Sequence, residues 1–257
     1  MDNDEERQPS INRRTVLAGG AAAAAAAVGI GAGAAAYAAG DKAAPAATRA
    51  AVCSLTEEVT EGPYALAGAL IREDVTEGKA GVPVKFSLTV VDQANGCSPL
   101  ANALVEIWHC DALGEYSGFV GRNGHQESDD RAFLRGGQFT DSTGVVKLTS
   151  IWPGHYTGRC VHVHLRVHTN VTLTGSTYTG GSLIHTGQLF FDPTINTQVQ
   201  KLSPYSSNTT PETQLSQDGI YDGGGATSGL LTLTPLGSTV SAGYTATLTM
   251  GVTSTRS

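Results

Sequence analysis

The sequence predicts an all-β protein, an antiparallel β-sandwich in which long loops form the functional site. Short segments alternate apolar and polar residues or run as β-branched residues, turn-forming clusters separate them, and no sustained helical period follows residue 40. Short strands spaced in this way are typical of sandwiches and barrels. With 257 residues, the chain is long enough for one well-buried domain.

The clearest strand patterns, in chain order, are five segments: 82–91, 103–109, 144–150, 161–168 and 244–250. The separating clusters are rich in Gly, Asn, Asp and Pro and lie at 93–96, 141–144, 152–154 and 222–225. The Ser/Thr-rich stretch 203–214 predicts a long surface loop.

The N-terminal region has the plan of an export signal. Residues 15–40 contain no charged side chain, are dominated by Ala and Gly, and directly follow Arg13 and Arg14. A transmembrane anchor is the alternative, but stable spans favour Leu, Ile, Val and Phe over Ala and Gly. We therefore predict a twin-arginine-type signal over 1–40, a tether over 41–52, an exported domain over 53–257 and no stable membrane anchor.

The charge balance bears on partners. Lys and Arg number 16 against 23 Asp and Glu, giving a formal charge of −7 with no basic cluster. Nucleic acid is therefore not an expected partner.

Four cysteines lie in the predicted exported part, at Cys53, Cys97, Cys110 and Cys160. An even count outside the cytoplasm indicates two disulfides, and four cysteines allow three pairings. We favour Cys53–Cys97 and Cys110–Cys160, because the second pair flanks segments that we expect to meet at the functional site.

A His-x-His pattern occupies the segment 161–168. Alternate residues of a strand share a face, so His162 and His164 point the same way with room for one metal ion between their rings. The intervening Val161 and Val163 face the core. An exposed polar face on an edge strand is the alternative interpretation.

Five segments together resemble the intradiol ring-cleavage dioxygenases, most closely their secreted single-domain branch. The similarity runs from about residue 53 to the C-terminus and is carried by TEGPY (60–64), VEIWHCDALGEYSGF (105–119), FLRGGQFTDSTGV (133–145), IWPGHYTGRCVHVH (151–164) and HTGQLFFD (185–192). The resemblance implies cleavage of a catechol-type ring by O2 between its two hydroxyl carbons, giving cis,cis-muconate-type products.

The resemblance also implies a non-haem iron(III) held by Tyr116, Tyr156, His162 and His164. Phenolate oxygens are hard anionic donors that favour trivalent iron over zinc. Tyrosine ordinarily keeps its proton up to a pKa near 10, so the metal must stabilise the anion.

Further roles follow from the same resemblance. Tyr156 is the ligand displaced by substrate, Arg159 stabilises negative charge on the ring, and Gln188 lies near the same site. Tyr64 lines the mouth of the pocket or simply packs. Bland alternatives are a surface salt bridge for Arg159 and an ordinary polar strand residue for Gln188.

Two competing functions remain at this point. A reduced Cys160 would share a face with His162 and His164 on an ideal strand and give a copper or zinc site. A non-enzymatic binding module would hold no iron and would tolerate Tyr116→Phe. The oligomeric state and the preferred diol are not legible in the sequence.

Overall fold

Two β-sheets face each other across an apolar core. The computed structural model describes residues 53–121, 123–125, 132–221 and 226–254. The predicted signal and tether, residues 1–52, and the predicted turn at 222–225 lie outside the described residues.

The described residues form strands β1 (Pro83–Asp92), β2 (Ser98–Pro99), β3 (Leu104–Trp108), β4 (Tyr116–Val120), β5 (Gly124–His125), β6 (Arg135–Phe139), β7 (Val145–Ile151), β8 (His162–Thr169), β9 (Thr172–Thr174), β10 (Thr177–Thr179), β11 (Ser182–Phe190), β12 (Thr232–Pro235) and β13 (Tyr244–Val252), with one α-helix, α1 (Pro193–Val199). All five predicted strand segments are present, as β1, β3, β7, β8 and β13. The predicted all-β class is confirmed.

The first sheet has the order β12-β13-β1-β2, and β7 also pairs with β1. The second sheet has the order β11-β8-β3-β6 and is antiparallel throughout. The β1–β13 pair is parallel, an exception to the predicted antiparallel arrangement. Trp108 on β3 lies opposite His164 on β8, which in turn lies opposite Gln188 on β11.

The core lies between these sheets and follows the strand alternation. On β1 and β8, every second residue is fully buried and apolar: Val84, Phe86, Leu88 and Val90 from β1, and Val163, Leu165 and Val167 from β8. Burial of each such side chain contributes about 1.5–3 kcal/mol, so the sandwich core holds both sheets firmly. The opposite face of β8 is left to carry polar residues.

Two local features differ from expectation. The stretch 203–214 is anchored rather than superficial, because buried Tyr205 donates to the Trp152 carbonyl at 2.7 Å and accepts from the Val82 N–H at 3.0 Å. Helix α1 was not foreseen. Its seven residues are too few for a helical period, although Asp192 caps its start and Pro193 opens its first turn.

One predicted disulfide is confirmed and one is wrong. Cys53 and Cys97 are bonded, with their Cα atoms 5.7 Å apart, whereas Cys110 and Cys160 are buried free thiols. Extending the β3–β8 register past the Trp108–His164 pair leaves these two cysteines two positions out of step. They pack in different apolar clusters, one with Trp108 and the other with Phe190.

No helix in the described part of the chain has the length and apolar character needed to cross a lipid bilayer.

Candidate active site

The site is built on the outer face of β8, opposite the core. His162 and His164 are only 2% and 0% exposed, so this face is covered and is not an exposed polar edge. His162 Nδ1 lies 2.6 Å from the Cys160 carbonyl. A carbonyl only accepts, so Nδ1 carries the proton and the Nε2 lone pair is free for another partner.

His164 is oriented by stacking. Its ring lies parallel to the Trp108 indole, with centroids 5.0 Å apart and planes within 5°, and the Arg166 guanidinium also lies over the indole, 5.0 Å from its centroid. Gly62 approaches the imidazole edge so closely that a Cβ there would lie 3.1 Å from Cε1. Stacking on one face and backbone at the edge fix the ring.

The two tyrosines arrive on adjoining loops. Tyr116 begins β4, and Tyr156 lies in the loop between β7 and β8. Gly154 donates its N–H to the Asp111 carbonyl at 3.0 Å, and a Cβ on Gly154 would lie 2.5 Å from that oxygen. Gly114 has φ +88°, and a Cβ on it would clash in the same way with the His155 carbonyl. Two glycines thus let the loops touch backbone to backbone and bring both phenols inward.

Four donor atoms converge. Tyr116 Oη lies 3.1 Å from His164 Nε2 and 3.5 Å from His162 Nε2, and Tyr156 Oη lies 3.3 Å from His162 Nε2. The two Nε2 atoms are 3.1 Å apart. Atoms bonded to one ion at about 2.1 Å lie roughly 3.0–3.4 Å from each other. The donor set therefore fits a single metal ion, and its two phenols favour a hard trivalent one.

Burial sets the protonation states. It lowers the pKa of His162 to about 3, helped by the nearby Arg159 charge, and lowers the pKa of His164 well below its ordinary value. Both rings are therefore neutral at pH 7, with lone pairs available to a metal ion. Burial also raises the pKa of Tyr156 to about 12, although Arg159 opposes the shift, and raises the pKa of Tyr116 well above its ordinary value. The phenolates need a cation between them.

Arg159 and Gln188 lie together beside the donors. Arg159 Nη1 is 3.4 Å from His162 Nε2, and its Nη2 donates to Gln188 Oε1 at 2.5 Å. Gln188 in turn donates to the Thr60 carbonyl at 2.9 Å. The salt bridge of Arg159 is to Asp218, whose side chain is fully buried, so the surface-pair alternative is wrong.

Residues 60–66 cover the outer face of β8, because Gly62 meets His164 and Glu61 accepts from Arg166 there. The Tyr64 ring stacks on Tyr116, with centroids 4.2 Å apart and planes within 13°, and meets Tyr156 edge-on at 5.9 Å. Its carbonyl accepts from Arg135 at 2.6 Å, and its hydroxyl accepts from Asn123 at 3.0 Å. Tyr64 is thus an aromatic wall directly over the two phenols.

The copper or zinc alternative is not supported. Within the described ranges, no three His, Cys, Asp or Glu side chains gather as a metal site. Cys160 precedes the first residue of β8, so it does not follow the ideal strand alternation, and it packs against Phe190. Burial and the adjacent Asp218 carboxylate raise the pKa of its thiol above the ordinary value.

Sequence reasoning missed Asp218, the partner of Arg159. Its carboxylate also accepts from the Cys160 N–H at 2.7 Å. Burial raises its pKa, but the Arg159 charge and this backbone hydrogen bond outweigh burial and lower it to about 2. The only signal was an ordinary turn-forming Asp-Gly pair, which does not reveal a partner 59 positions away.

Comparisons with known proteins agree on one family. A family model described as Dioxygenase matches residues 60–192. An intradiol ring-cleavage dioxygenase from Tetranychus urticae shares 33% identity, with a TM-score of 0.68 over 80% of this chain and 98% of that one.

Two further comparisons support the family less strongly, because one shows the fold alone and the other covers less than half of each chain. The dioxygenase domain of a dioxygenase carbohydrate-binding protein fusion from Streptomyces sp. SirexAA-E shares the fold at 24% identity, with a TM-score of 0.54 over 78% of this chain and 99% of that one. Catechol 1,2-dioxygenase 2 of Acinetobacter lwoffii is 33% identical over 113 residues, which are 43% of this chain and 39% of that relative.

Proposed function

The chain belongs to the intradiol ring-cleavage dioxygenases, a family of oxidoreductases, and from this premise we propose that it binds iron(III) and cleaves catechol-type diols with O2. The products would be cis,cis-muconate-type dicarboxylates that contain both oxygen atoms. The observation that carries the proposal is the convergence of Tyr116, Tyr156, His162 and His164, whose donor atoms lie within 3.1–3.5 Å of their neighbours.

Iron(III) held by Tyr116, Tyr156, His162 and His164 would supply the Lewis acidity that makes the ring of a bound diol reactive towards O2. A diol that binds as the dianion releases two protons, of which the chain takes up one and the other passes to solvent. Tyr156 suits this task better than Tyr116, because it is 8% rather than 0% exposed and its ring meets Tyr64 only edge-on. We propose that the Tyr156 phenolate accepts one diol proton and swings away from the site.

Arg159 and Tyr64 complete the proposed site. The guanidinium is fixed and mostly buried, so its positive charge stabilises negative charge that develops on the diol without reorganising. Gln188 fixes one edge of that guanidinium through Nη2. Tyr64 offers an aromatic face that limits how the substrate ring enters.

The decisive experiment is the visible absorption spectrum of the purified protein, with iron quantified on the same sample. We expect a broad tyrosinate-to-iron(III) charge-transfer band that shifts when catechol is added without air. Oxygen uptake with catechol should then yield a muconate that carries both atoms of ¹⁸O2. A colourless protein after iron loading would contradict the proposal: zinc or copper in it would support the copper or zinc alternative, and no metal would support the binding module.

We further propose that the protein acts outside the cytoplasm after twin-arginine export, on small aromatic diols met there. The support is the charge-free Ala/Gly run that follows Arg13 and Arg14. Replacing both arginines by lysine should leave the precursor in the cytoplasm of the expressing cell. Equal export of the wild-type and Lys-Lys forms would contradict this route.

A further inference from the structure

Asp218 stands out as a buried charge that the proposed reaction does not yet use. Its side chain is completely inaccessible, and its carboxylate makes four hydrogen bonds. Oδ2 accepts from Arg159 Nε at 2.9 Å and from the Cys160 N–H at 2.7 Å. Oδ1 accepts from the N–H groups of Ile220 and Tyr221 at 2.8 and 3.1 Å. The backbone of its own turn thus fixes the carboxylate independently of the arginine.

The second observation is how this bond restrains the guanidinium. The Arg159 guanidinium is planar, and residues on two different elements hold two of its three nitrogens. Asp218 holds Nε from the turn that follows residues 215–217, while Gln188 on β11 holds Nη2 at 2.5 Å. Two anchors define the plane, which leaves Nη1 as the edge directed at the donor cluster, 3.4 Å from His162 Nε2.

The third observation is that the same carboxylate restrains the backbone at the start of the metal-binding strand. Its hydrogen bond to the Cys160 N–H holds the residue whose carbonyl accepts from His162 Nδ1. Asp218 therefore fixes the arginine and the strand entry relative to each other. A shift of one without the other would change the distance from the guanidinium to the reacting ring.

We propose that Asp218 is a positioning residue that holds the Arg159 guanidinium in register with the donor cluster, so that its charge meets the diol as negative charge develops. The proposal rests on the ring-cleavage function proposed above. It assigns Asp218 no contact with substrate or metal. Its contribution passes through Arg159.

The test is a double-mutant cycle with Asp218→Asn and Arg159→Gln in the iron-loaded full chain. Asp218→Asn should lower kcat for catechol about 10- to 100-fold and change KM less than about 3-fold, because the guanidinium acts on charge formed during the reaction. In the Arg159→Gln background, the same change should alter kcat less than about 2-fold. The charge-transfer band should persist in both variants, since the four donors are intact.

Asp192→Asn is the matched control. Asp192 Oδ1 accepts backbone hydrogen bonds from Thr194 and Ile195 at 2.8 and 3.0 Å, at the start of α1. Loss of an equivalent carboxylate there should leave kcat within about 2-fold of the wild-type value. An undiminished kcat in Asp218→Asn, or an equal loss in the Arg159→Gln background, would overturn the positioning role.

A measurement on the wild-type chain covers the case in which Asp218→Asn does not fold. Proton exchange at ¹⁵N-labelled Arg159 Nε in the iron-free protein should be far slower than in free arginine, because Asp218 holds that N–H in a buried bond. Exchange as fast as in free arginine would overturn the proposal. If wild-type protein consumes no O2 with catechol, the proposed function fails, whereas this exchange rate still decides whether Asp218 fixes Arg159.

Discussion

Two buried polar clusters lie on the same outer face of the second sheet and differ in how their groups are satisfied. The donor cluster consists of Tyr116, Tyr156, His162 and His164. Its phenols carry raised pKa values, its imidazoles carry lowered ones, and all four point their free atoms at one another. No carboxylate of the described residues is among these donors.

The acid cluster consists of Glu106, His168, Tyr178 and Arg166. Here the carboxylate accepts from the Tyr178 hydroxyl at 2.8 Å and from His168 Nε2 at 3.1 Å, and Arg166 lies 3.7 Å from its second oxygen. Burial and the neighbouring Glu106 charge raise the pKa of Tyr178. Each group in this cluster has a protein partner of complementary character.

The comparison distinguishes buried polar groups that stabilise the fold from buried polar groups that can bind a ligand. A buried network whose members pair among themselves stabilises its own geometry. A cluster of donor atoms that all point at one centre is stabilised in its anionic form by a cation at that centre, because burial leaves no water to solvate the phenolates. The predictions below test this contrast, from the largest expected effect to the smallest.

The strongest test compares one tyrosine from each cluster. Tyr116→Phe removes one of the two proposed phenolate ligands, so we expect the charge-transfer band to weaken and shift to that of Tyr156 alone, and catechol turnover to fall roughly 100- to 1,000-fold. Tyr178→Phe, also buried on this face, should keep the band and keep turnover within about 3-fold. Retention of the band and activity by Tyr116→Phe would break the contrast and favour a binding module.

Metal removal should destabilise the protein through the donor cluster alone. A ligand that binds only the folded state adds about 4 kcal/mol to the free energy of unfolding at 1,000 times its Kd. Thermal or urea unfolding with and without a chelator measures this difference. His162→Ala should abolish the difference and His168→Ala should preserve it. The reverse pattern would place the metal in the acid cluster.

His109, a buried imidazole outside both clusters, sharpens the comparison by isolating burial. Its Nδ1 bonds the Cys110 carbonyl and its Nε2 bonds Ser150 Oγ, both at 2.7 Å. Burial lowers its pKa from 6.5 to about 4. Above pH 6.5, His109 is neutral in both the folded and the unfolded state, so it does not lower the free energy of unfolding. As the pH falls from 6.5 to 4, only the unfolded state gains a proton at His109, which lowers the free energy of unfolding by about 3 kcal/mol.

Urea unfolding at pH values from 7 to 4 checks this expectation on the iron-loaded protein. Unfolding releases His162 and His164, which then take up protons as well, so His109→Gln should make the pH dependence shallower by the share of one histidine rather than abolish it, whatever its stability at pH 7. An equally steep dependence in the variant would assign the acid sensitivity to other groups.

The smallest expected effect lies in the acid cluster. Tyr178→Phe deletes one hydrogen bond to a partly shielded carboxylate and should lower the free energy of unfolding by about 1–2 kcal/mol without changing the iron content. Because both residues share one hydrogen bond, adding Glu106→Gln should cost less than the sum of the single changes. Full additivity would show that the two side chains act independently.

The local patterns predicted the strands correctly, and they also predicted that His162 and His164 share one face, because both properties follow from alternation. A period of two places Val163 and Leu165 in the core and the two histidines on the other face, whatever the sheet does elsewhere. The five motifs then indicated which tyrosines join them. The ligand role itself stays a proposal, whereas the convergence of the four side chains is observed.

The failures involve contacts between distant segments. A disulfide between Cys110 and Cys160 would depend on the strand register beyond the ends of β3 and β8. The sequence does not specify that register, and both thiols are free. The Ser, Thr and Pro residues around Tyr205 predict a surface loop, yet the Tyr205 hydroxyl anchors that loop to the Trp152 carbonyl. Asp218 gave no sign of its arginine partner.

The sequence by itself determined the sandwich class, the core face of each long strand and the shared face of His162 and His164, and its resemblance to a known family indicated which tyrosines are proposed to join them. Local spacing encodes the first three properties, since side-chain direction repeats every two residues along a strand. Only the tertiary structure decided which carboxylate holds Arg159, which cysteines bond and which polar cluster satisfies itself. Those outcomes depend on distances between segments that chain order does not specify, and a hydrogen bond or disulfide forms only within a few tenths of an ångström of its required geometry.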